Sequence, residues 1–252
     1  MNDAWDGSRP SPIPELPNHI AYGSIKTNKA ALGLSTDRAQ PVQYDWDSQH
    51  FLLISGIFQS GKSNLLYTVA RQMKEKLGGK LYVFDIKATM PKSMATVSDC
   101  RLCDASEIDT FIEQLRPELQ RRQEQKMEQP ELQFVPLIIT IDDYSVFFPA
   151  VSNDTIARLN AIVRIGGGLG LYLLVSGDAF DISSYCFKGE MLLLSMLRAK
   201  QAVALGGCLN DHSAIRSNAT YQMKIINVNE DEGWFIRNSE PTRFKSMSFS
   251  EE

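Results

Sequence analysis

The chain has 252 residues, and 43% of them are hydrophobic, which is enough apolar material for one large domain with a buried core. Its formal net charge is −4, so the chain as a whole has no general attraction for nucleic acid phosphates. No apolar run reaches about 18 residues, and the sequence therefore predicts no membrane-spanning helix.

The first residues of the chain differ in composition from the rest. Residues 1–18 hold few apolar side chains and several prolines, which is typical of an extended linker. These prolines are Pro10, Pro12, Pro14 and Pro17. We expect the folded domain to occupy residues 19–252. Its predicted first strands are Ala21–Ile25, Ala31–Leu34 and, as a lead into the next strand, Gln43–Trp46.

A glycine-rich motif follows the apolar run His50–Ser55, which predicts a buried strand. Residues Gly56–Ser63 read GIFQSGKS and fit the phosphate-binding pattern G-x-x-x-x-G-K-[ST]. Apolar residues at nearly helical spacing then predict a helix over Asn64–Leu77. The order of strand, glycine loop and helix is typical of a nucleoside triphosphate site, and a plain surface loop is the weaker alternative.

The predicted nucleotide ligands lie in this loop or directly beside it. The glycines let the backbone curl so that its N–H groups face phosphate oxygens, while Lys62 places a positive charge near the outer phosphates. Ser63 can offer its hydroxyl to Mg²⁺. We therefore predict ATP and Mg²⁺ as cofactors. The predicted nucleotide-binding residues are Gly56, Gln59, Ser60, Gly61, Lys62, Ser63 and Asn64.

Strands and helices alternate along the rest of the chain. Apolar runs predict further buried strands over Lys80–Asp85, Val135–Ile141 and Leu169–Ser176. Between them, amphipathic helices are predicted over residues 106–122 and over Thr155–Ile165, and Pro117 should kink or interrupt the first. This alternation predicts an α/β fold of the P-loop NTPase (RecA-like) type, with a mostly parallel twisted sheet covered by helices on both faces.

Shorter apolar runs near the end of the chain are expected to close the sheet. They are Gln201–Leu205, Met223–Val228 and Gly233–Ile236. The charged stretch Arg121–Glu131 is interpreted as a solvated segment that serves solubility. The four cysteines and the absence of an export leader favour a reducing cytosol. Cys100 and Cys103 could be half of a zinc site or a redox pair, although ordinary packing is the stronger interpretation.

Two adjacent acids follow the strand that ends at Ile141. A parallel strand delivers such residues to the carboxyl edge of the sheet, where ligands bind, so Asp142 is predicted to share the magnesium ion with Ser63. The alternative is that Asp142 caps the next turn. Asp143 could polarise the attacking water, but its side chain is one methylene shorter than glutamate. Slow ATP hydrolysis and nucleotide binding without turnover therefore both remain open, with Asp142 and Asp143 as the candidate catalytic residues.

Two other polar residues also fall at predicted strand ends. Ser176 could hydrogen-bond the terminal phosphate, or it could simply cap the following turn. Asp85 could orient water, but we favour a structural ion pair with Lys87.

These residues together resemble a family of motor proteins, the FtsK/SpoIIIE-type ATPases. The resemblance rests on Gln49–Leu66, on the strand Leu81–Asp85 and on Asp142 and Asp143, which follow the strand that ends at Ile141. It covers roughly residues 20–245. Its closest form is the third, C-terminal ATPase domain of the EssC/EccC proteins of type VII secretion systems. Segments typical of such a unit are Gly33–Asp37 and Pro41–Asp45 at its start, and Asp231–Asn238 with Pro241–Phe244, which resemble a closing hairpin.

The sequence also departs from that family pattern. Asp143 stands where active members carry glutamate, Gly167 stands at the position of an arginine that completes a neighbour's site, and Gly177-Asp178 replace a glutamine. Arg164 lies one turn earlier and is a weak substitute. The unit therefore resembles a partly degenerate member of the family.

The resemblance implies a cytoplasmic domain of a bacterial membrane protein that works as part of a secretion motor. It implies neighbouring ATPase domains on the same longer chain, possible assembly into a hexamer, and small helical WXG-type proteins as substrates. The alternatives are a docking module with a vestigial nucleotide site, a DNA translocase, which the acidic charge disfavours, and a small-molecule kinase, for which an arginine-rich lid is missing from the sequence.

Overall fold

The computed structural model describes residues 15–198 and 200–249. The predicted linker falls mostly outside the described residues, and this includes Pro10, Pro12 and Pro14. Across the described part of the chain, none of the helices combines the length and the apolar character needed to cross a membrane.

The described residues form a single ten-stranded sheet with the spatial order β2-β1-β10-β9-β8-β3-β7-β6-β4-β5. The six strands from β8 to β5 pair in parallel, and the four from β2 to β9 extend the sheet with antiparallel pairs. The strands are β1 (Ala30–Ser35), β2 (Pro41–Tyr44), β3 (Phe51–Gly56), β4 (Lys80–Phe84), β5 (Cys100–Leu102), β6 (Leu137–Ile141), β7 (Leu171–Asp178), β8 (Gln201–Gly207), β9 (Val228–Arg237) and β10 (Glu240–Ser246).

Helices cover both faces of this sheet, which confirms the predicted α/β class. They are α1 (Lys62–Leu77), α2 (Lys92–Ala95), α3 (Ala105–Glu128), α4 (Tyr144–Ala150), α5 (Asn153–Gly166), α6 (Ala179–Phe187), α7 (Met191–Leu197) and α8 (Tyr221–Lys224). The short helices α4, α6 and α7 have no counterpart in the sequence-based prediction, because each spans only two or three turns and shows little of the periodicity that a longer helix provides.

The side chains of the parallel strands alternate between two hydrophobic clusters, one on each face of the sheet. On β3, for example, Leu53 belongs to the cluster beneath helices α3 to α7, while Leu52 and Ile54 belong to the cluster beneath α1. Both clusters are buried, and β3 lies between β7 and β8. The loop that follows β3 is therefore anchored to the most buried part of the sheet.

The helix around Pro117 corrects one prediction. Helix α3 continues without interruption for 24 residues from Ala105 to Glu128. Proline removes one backbone hydrogen bond, but buried residues on both sides of it, such as Ile112 and Leu119, fix the helix against the sheet.

The charged stretch after Pro117 is also not merely solvated. Arg122 is buried, and its guanidinium donates hydrogen bonds to the carbonyls of Val135 and Leu169. It also pairs with Glu118 one turn earlier. The interpretation as a solubility segment is therefore wrong at Arg122, which holds α3 to the loops that lead into β6 and β7.

Two predicted strands do not form. Ala21–Ile25 contributes only one isolated parallel bridge, between Ala21 and Ser248. Residues 223–228 were expected as a strand, but the helix α8 ends at Lys224 and β9 begins at Val228. The predicted closing hairpin is present as β9 and β10, with Glu240 opposite Arg237.

Candidate nucleotide site

The glycine loop Gly56–Ser63 lies at the carboxyl edge of the parallel strands. Gly56 ends β3 opposite Asp178 of β7 and Leu205 of β8. Strand β6 lies on the far side of β7 and ends beside the same edge, which brings Asp142 toward the loop. In open α/β sheets ligands bind at this edge, so the sequence-predicted residues converge where the fold allows a site.

The loop backbone takes a conformation that depends on its glycines. Gly61, the residue directly before α1, has a left-handed φ of 77°, which glycine adopts without steric cost. At Gly56 a side chain does not fit, because a Cβ there would lie only 2.3 Å from Oγ of Ser60. Gln59 also has a positive φ, of 57°. Alternation between left-handed and right-handed residues turns successive N–H groups inward, which is the geometry of an anion-binding nest.

Lys62 closes over the inner side of this loop. Its Nζ donates a 2.6 Å hydrogen bond to the carbonyl of Ile57, and the hydroxyl of Ser60 donates to the same oxygen over 2.8 Å. Burial lowers the pKa of Lys62, while the nearby carboxylates of Asp178, Asp143 and Asp142 act in the opposite direction. The ammonium group is thus held among acids at the mouth of the loop.

Asp142 is buried and accepts three hydrogen bonds from hydroxyl groups. Ser63 and Ser176 donate to its Oδ1 over 2.8 Å and 2.7 Å. Tyr67 donates to its Oδ2 over 3.2 Å. A carboxylate beside a serine hydroxyl is a set of hard oxygen ligands of the kind that Mg²⁺ prefers, so the residues present fit the predicted metal.

Tyr67 is a functional candidate that the sequence-based prediction missed. It lies one helical turn after Ser63 on α1, so the two side chains share a face. Burial, followed by the charge of Asp142, raises the pKa of Tyr67 well above its ordinary value, which keeps the phenol protonated as a donor. The sequence contains one indication of this role, since Tyr67 follows Ser63 by four residues, but a tyrosine among apolar neighbours is equally typical of core packing.

Asp143 has a different environment from Asp142. Its backbone is left-handed, with φ 61°, and its carboxylate forms an ion pair with Lys87. Its N–H donates to Oγ of Ser176 over 3.1 Å. Ser176 therefore bridges the two acids, a role that neither of its predicted functions included.

Asp85 is structural, as predicted, but its partner is not Lys87. The buried Asp85 carboxylate accepts from Nε and Nη2 of Arg101 at 3.0 Å and 2.7 Å. It also accepts from the backbone N–H of Thr89 and of Met90. The pairing follows from the sheet order, because β5, which carries Arg101, lies directly beside β4.

The side chain of Asn64 contacts a distant segment of the chain. Its Nδ2 donates to the carbonyl of Met247 over 3.0 Å, and its Oδ1 accepts from the N–H of Phe249 over 2.7 Å. Both polar groups of the amide are thus engaged by the segment after β10. The nucleotide-binding role of Asn64 stays a prediction.

A buried histidine supports the loop from the 3₁₀ turn Leu209–His212, which follows the neighbouring strand β8. His212 lies with Nδ1 2.8 Å from Oγ of Ser55 and Nε2 3.0 Å from the carbonyl of Gly206. Because a carbonyl only accepts, Nε2 carries the proton and Nδ1 accepts from Ser55. Burial lowers the pKa of His212. No sequence pattern indicates the contact with Ser55, because the two residues are 157 positions apart in the chain.

The remaining sequence candidates take structural roles. Asp178 precedes α6 and accepts from the N–H of Phe180 over 2.9 Å, so it caps that helix. Gly167 begins a 3₁₀ turn after α5, close to the ring of His50. Cys100 and Cys103 are free, partly buried thiols. Within residues 15–198 and 200–249, no cluster of three or more potential metal ligands of the His, Cys, Asp or Glu type is present.

The sheet, the helices on both of its faces and the glycine loop give this chain the fold of P-loop ATPase domains. No family model matches the chain. Across its whole length it is 19% identical to the ESX secretion system protein EccC of Thermomonospora curvata, of which it covers 20%.

Two solved structures superpose on nearly the whole domain. The cytoplasmic domain of EssC does so with a TM-score of 0.79, at 15% identity, over 96% of this chain and 50% of that chain. ATPases 2 and 3 of Thermomonospora curvata EccC, in complex with a signal sequence peptide, do so with a TM-score of 0.77, at 16% identity, over 98% and 46%. The chain thus has the fold of the EssC/EccC-type ATPase domains, which confirms the predicted resemblance, and it spans half or less of these relatives.

Proposed function

We propose that this chain is an ATP-binding domain of a type VII protein secretion motor. The observation that carries the proposal is the contact of Ser63 with Asp142 directly beside a curled Gly56–Ser63 loop. A hydroxyl and a carboxylate at this distance can share one magnesium ion, while the N–H groups of the loop and Lys62 face the phosphates. Bound Mg²⁺ would neutralise charge on the outer phosphates.

Each residue of the site has a defined task in this proposal. The backbone of Gly56, Ser60 and Gly61 cradles the phosphates, with Gln59 between them. Lys62, which now donates to the Ile57 carbonyl, would instead donate to a phosphate oxygen. Ser63 and Asp142 would hold the metal, and Tyr67 and Ser176 keep the carboxylate in place.

We further propose that turnover is slow. Asp143 is the acid available to polarise water, but its carboxylate is paired with Lys87, and its backbone is fixed by Ser176. A general base must reach the water by hydrogen bond, and an oxygen occupied by an ammonium is less free to do so. Together with the glycine at position 167, this favours a site that binds ATP more readily than it hydrolyses it.

The partners follow from the similarity to EccC and EssC. Those proteins carry several ATPase domains, and one structure holds a signal sequence peptide. For this chain we propose neighbouring ATPase domains on a longer cytoplasmic region of a membrane protein, recruitment of small helical WXG-type substrates, and assembly in a hexamer. With a formal charge of −4, DNA translocation is a weaker alternative.

Titration of ATP and Mg²⁺ against the domain tests the proposal, for example by calorimetry. Wild type should bind saturably in the micromolar to millimolar range that is typical of enzyme substrates. Lys62→Ala should lose most of this affinity, while Lys87→Ala serves as a matched control that removes a charge at the same sheet edge but outside the loop. Absence of saturable binding by wild type would exclude the proposal.

A docking module with a vestigial site is the second candidate. Three residues favour it: Asp178, which caps α6, Asp143, which pairs with Lys87, and Gly167. Each stands where active relatives are expected to carry a catalytic group. This module would bind a substrate peptide equally well in wild type and in Lys62→Ala. ATP turnover that is lost in Asp142→Ala would eliminate it.

A further inference from the structure

The segment after β10 is bound along the helix that begins at the phosphate loop. We name this segment, Met247–Phe249, the tail strap. Asn64 in the first turn of α1 contacts it with both atoms of its amide, donating to the carbonyl of Met247 and accepting from the N–H of Phe249. One side chain of the helix therefore replaces the partner that a neighbouring strand would supply.

The other edge of the tail strap pairs with backbone from the start of the domain. The N–H of Met247 donates to the carbonyl of Leu32 over 3.0 Å, and the N–H of Ser248 donates to Ile20 over 2.9 Å. The tail strap is thus held between α1 and two earlier segments. Gln72, two turns further along α1, makes a similar amide pair with both backbone groups of Ala31 in β1.

An aromatic cluster fastens the end of the tail strap to the same helix. The rings of Phe249 and Tyr22 meet edge to face with centroids 5.8 Å apart. The guanidinium of Arg71 on α1 lies 4.4 Å from the Tyr22 ring and 5.4 Å from the Phe249 ring. Tyr22 also donates to Glu75 over 2.7 Å. Aromatic pairs and cations over aromatic rings attract beyond their burial alone, so these contacts together fix the strap to α1.

The start of α1 is shared by this strap and by the nucleotide site. Asn64 follows Lys62 and Ser63 directly, and the N–H of Leu65 donates back to Gly61 in the loop. A shift of the first turn that moves Ser63 must therefore also move Asn64 and strain its two bonds to the tail strap. A ligand that fixes the first turn stabilises both sets of contacts at once.

We propose that docking of the tail strap and occupancy of the phosphate loop are energetically coupled through Asn64, so that loosening of the strap lowers the affinity of the domain for nucleotide. The proposal rests on the proposed function, since it regulates the same site. Coupling is reciprocal: the factor by which a docked strap tightens nucleotide binding equals the factor by which nucleotide tightens the strap.

Two substitutions and a control distinguish coupling between the tail strap and the nucleotide site from a direct effect of Asn64 on the phosphate loop. Phe249→Ala removes strap packing at a position remote from the loop, and Asn64→Ala removes the link itself. Ser248→Ala is the matched control, because among the described residues its hydroxyl hydrogen-bonds to the exposed His19, while its N–H still pairs with Ile20. Thermal unfolding without nucleotide establishes that each variant is folded.

The experiment combines ATP-Mg titration with hydrogen exchange of the backbone amides at 247–249 and 65–70. We expect Phe249→Ala and Asn64→Ala each to weaken ATP binding about fivefold and to speed exchange at 65–70, with Ser248→Ala like wild type. In wild type, ATP should slow exchange at 247–249 by the same factor.

The outcomes distinguish this proposal from the proposed function. If wild type binds ATP but exchange at 247–249 does not respond, and Phe249→Ala binds ATP normally, the coupling is refuted while nucleotide binding stands. An effect of Asn64→Ala without one of Phe249→Ala refutes it too, because Asn64 then acts only within the loop. If wild type binds no ATP, the proposed function fails. The link between strap and helix is then still tested without ligand: it is refuted if the amides of residues 65–70 exchange equally fast in Phe249→Ala and in wild type.

Discussion

The hydroxyl of Ser63 donates a 2.8 Å hydrogen bond to Oδ1 of Asp142, which joins the first turn of α1 to the end of β6. The two residues are 79 positions apart in the chain. They meet because β6 lies one strand away from β3, across β7. This contact places the proposed metal ligands next to the phosphate loop, and it is the geometric basis of the first prediction.

Asp142→Asn should abolish the effect of Mg²⁺ on ATP affinity. The amide keeps the size of the side chain but loses the negative charge that a divalent cation requires. Calorimetry with Mg²⁺ and with EDTA measures the effect directly: wild type should bind more tightly with the metal, and the variant should bind equally in both. A variant that keeps the full metal dependence would show that Asp142 is not a metal ligand.

Tyr67→Phe should raise the Mg²⁺ concentration needed for half-maximal ATP binding. The ring still fills its place in the core, but Oδ2 of Asp142 loses its donor. One hydrogen bond to a charged group contributes about 1.5–3 kcal/mol, so the shift should be about tenfold to 150-fold. ATP binding in EDTA should stay as in wild type, and an equal loss with and without metal would indicate a purely structural role for Tyr67.

Lys87→Met should increase ATP turnover. The substitution keeps the aliphatic stem and removes the cation that occupies the carboxylate of Asp143, which frees that acid to contact water. Phosphate release under saturating ATP measures the change. The double variant Lys87→Met/Asp143→Asn is the control and should return to the rate of wild type or below. Turnover that does not rise in Lys87→Met contradicts the prediction.

His212→Gln should flatten the pH dependence of the free energy of unfolding between about pH 7 and 5. Burial lowers the folded-state pKa of His212, and the charge of Lys62 lowers it further. The hydrogen bond to Gly206 and the charges of Asp211 and Asp178 raise this pKa, but burial has the largest effect. As pH falls through the ordinary value of 6.5, the unfolded chain binds a proton before the folded one does, so stability falls. His50 has the same sign and remains in both proteins.

Urea unfolding at a series of pH values compares the two slopes. The slope should be shallower for His212→Gln than for wild type. Equal slopes would mean that His212 takes up its proton equally in the folded and unfolded states. They would contradict the prediction that the buried imidazole stays neutral in the folded protein.

Arg122→Ala should lower the free energy of unfolding by about 3 kcal/mol, because it removes a buried guanidinium that donates to the carbonyls of Val135 and Leu169, the second of these bonds being buried. Arg121→Ala is a matched control: it pairs with the same Glu118, but its side chain is 57% exposed, and its loss should cost less than about 1 kcal/mol. Chemical denaturation measures both. Similar losses in the two variants would show that burial of Arg122 has little energetic effect.

Sequence patterns were most informative where the determinants are contiguous. The loop Gly56–Ser63, the strand before it and the helix after it all lie within about 30 residues, and their periodicity needs no tertiary context. The interpretation of Pro117 failed because helix stability depends on packing as well as on backbone hydrogen bonds. Met223–Val228 failed because its apolar run was too short to separate helix from strand.

The partners of the site residues could not be predicted in the same way. Asp85 was expected to pair with the nearby Lys87, but β5 lies beside β4 and supplies Arg101 instead, which leaves Lys87 for Asp143. Asn64 and Phe249 are 185 positions apart, and no local pattern links them. Contacts of this kind depend on strand order and on the return of the last strand to the first.

The sequence by itself determined the class of the fold, the phosphate loop and the acid that faces it, because each is encoded in a short run of residues whose backbone geometry follows from local chemistry. Only the tertiary structure decided how the acids are held. The hydroxyls on Asp142, the cation on Asp143 and the strap on Asn64 come from segments far apart in the chain, and side chains of many types could have met there. Their pairing is set by which strands and helices pack together, and burial makes each satisfied hydrogen bond matter.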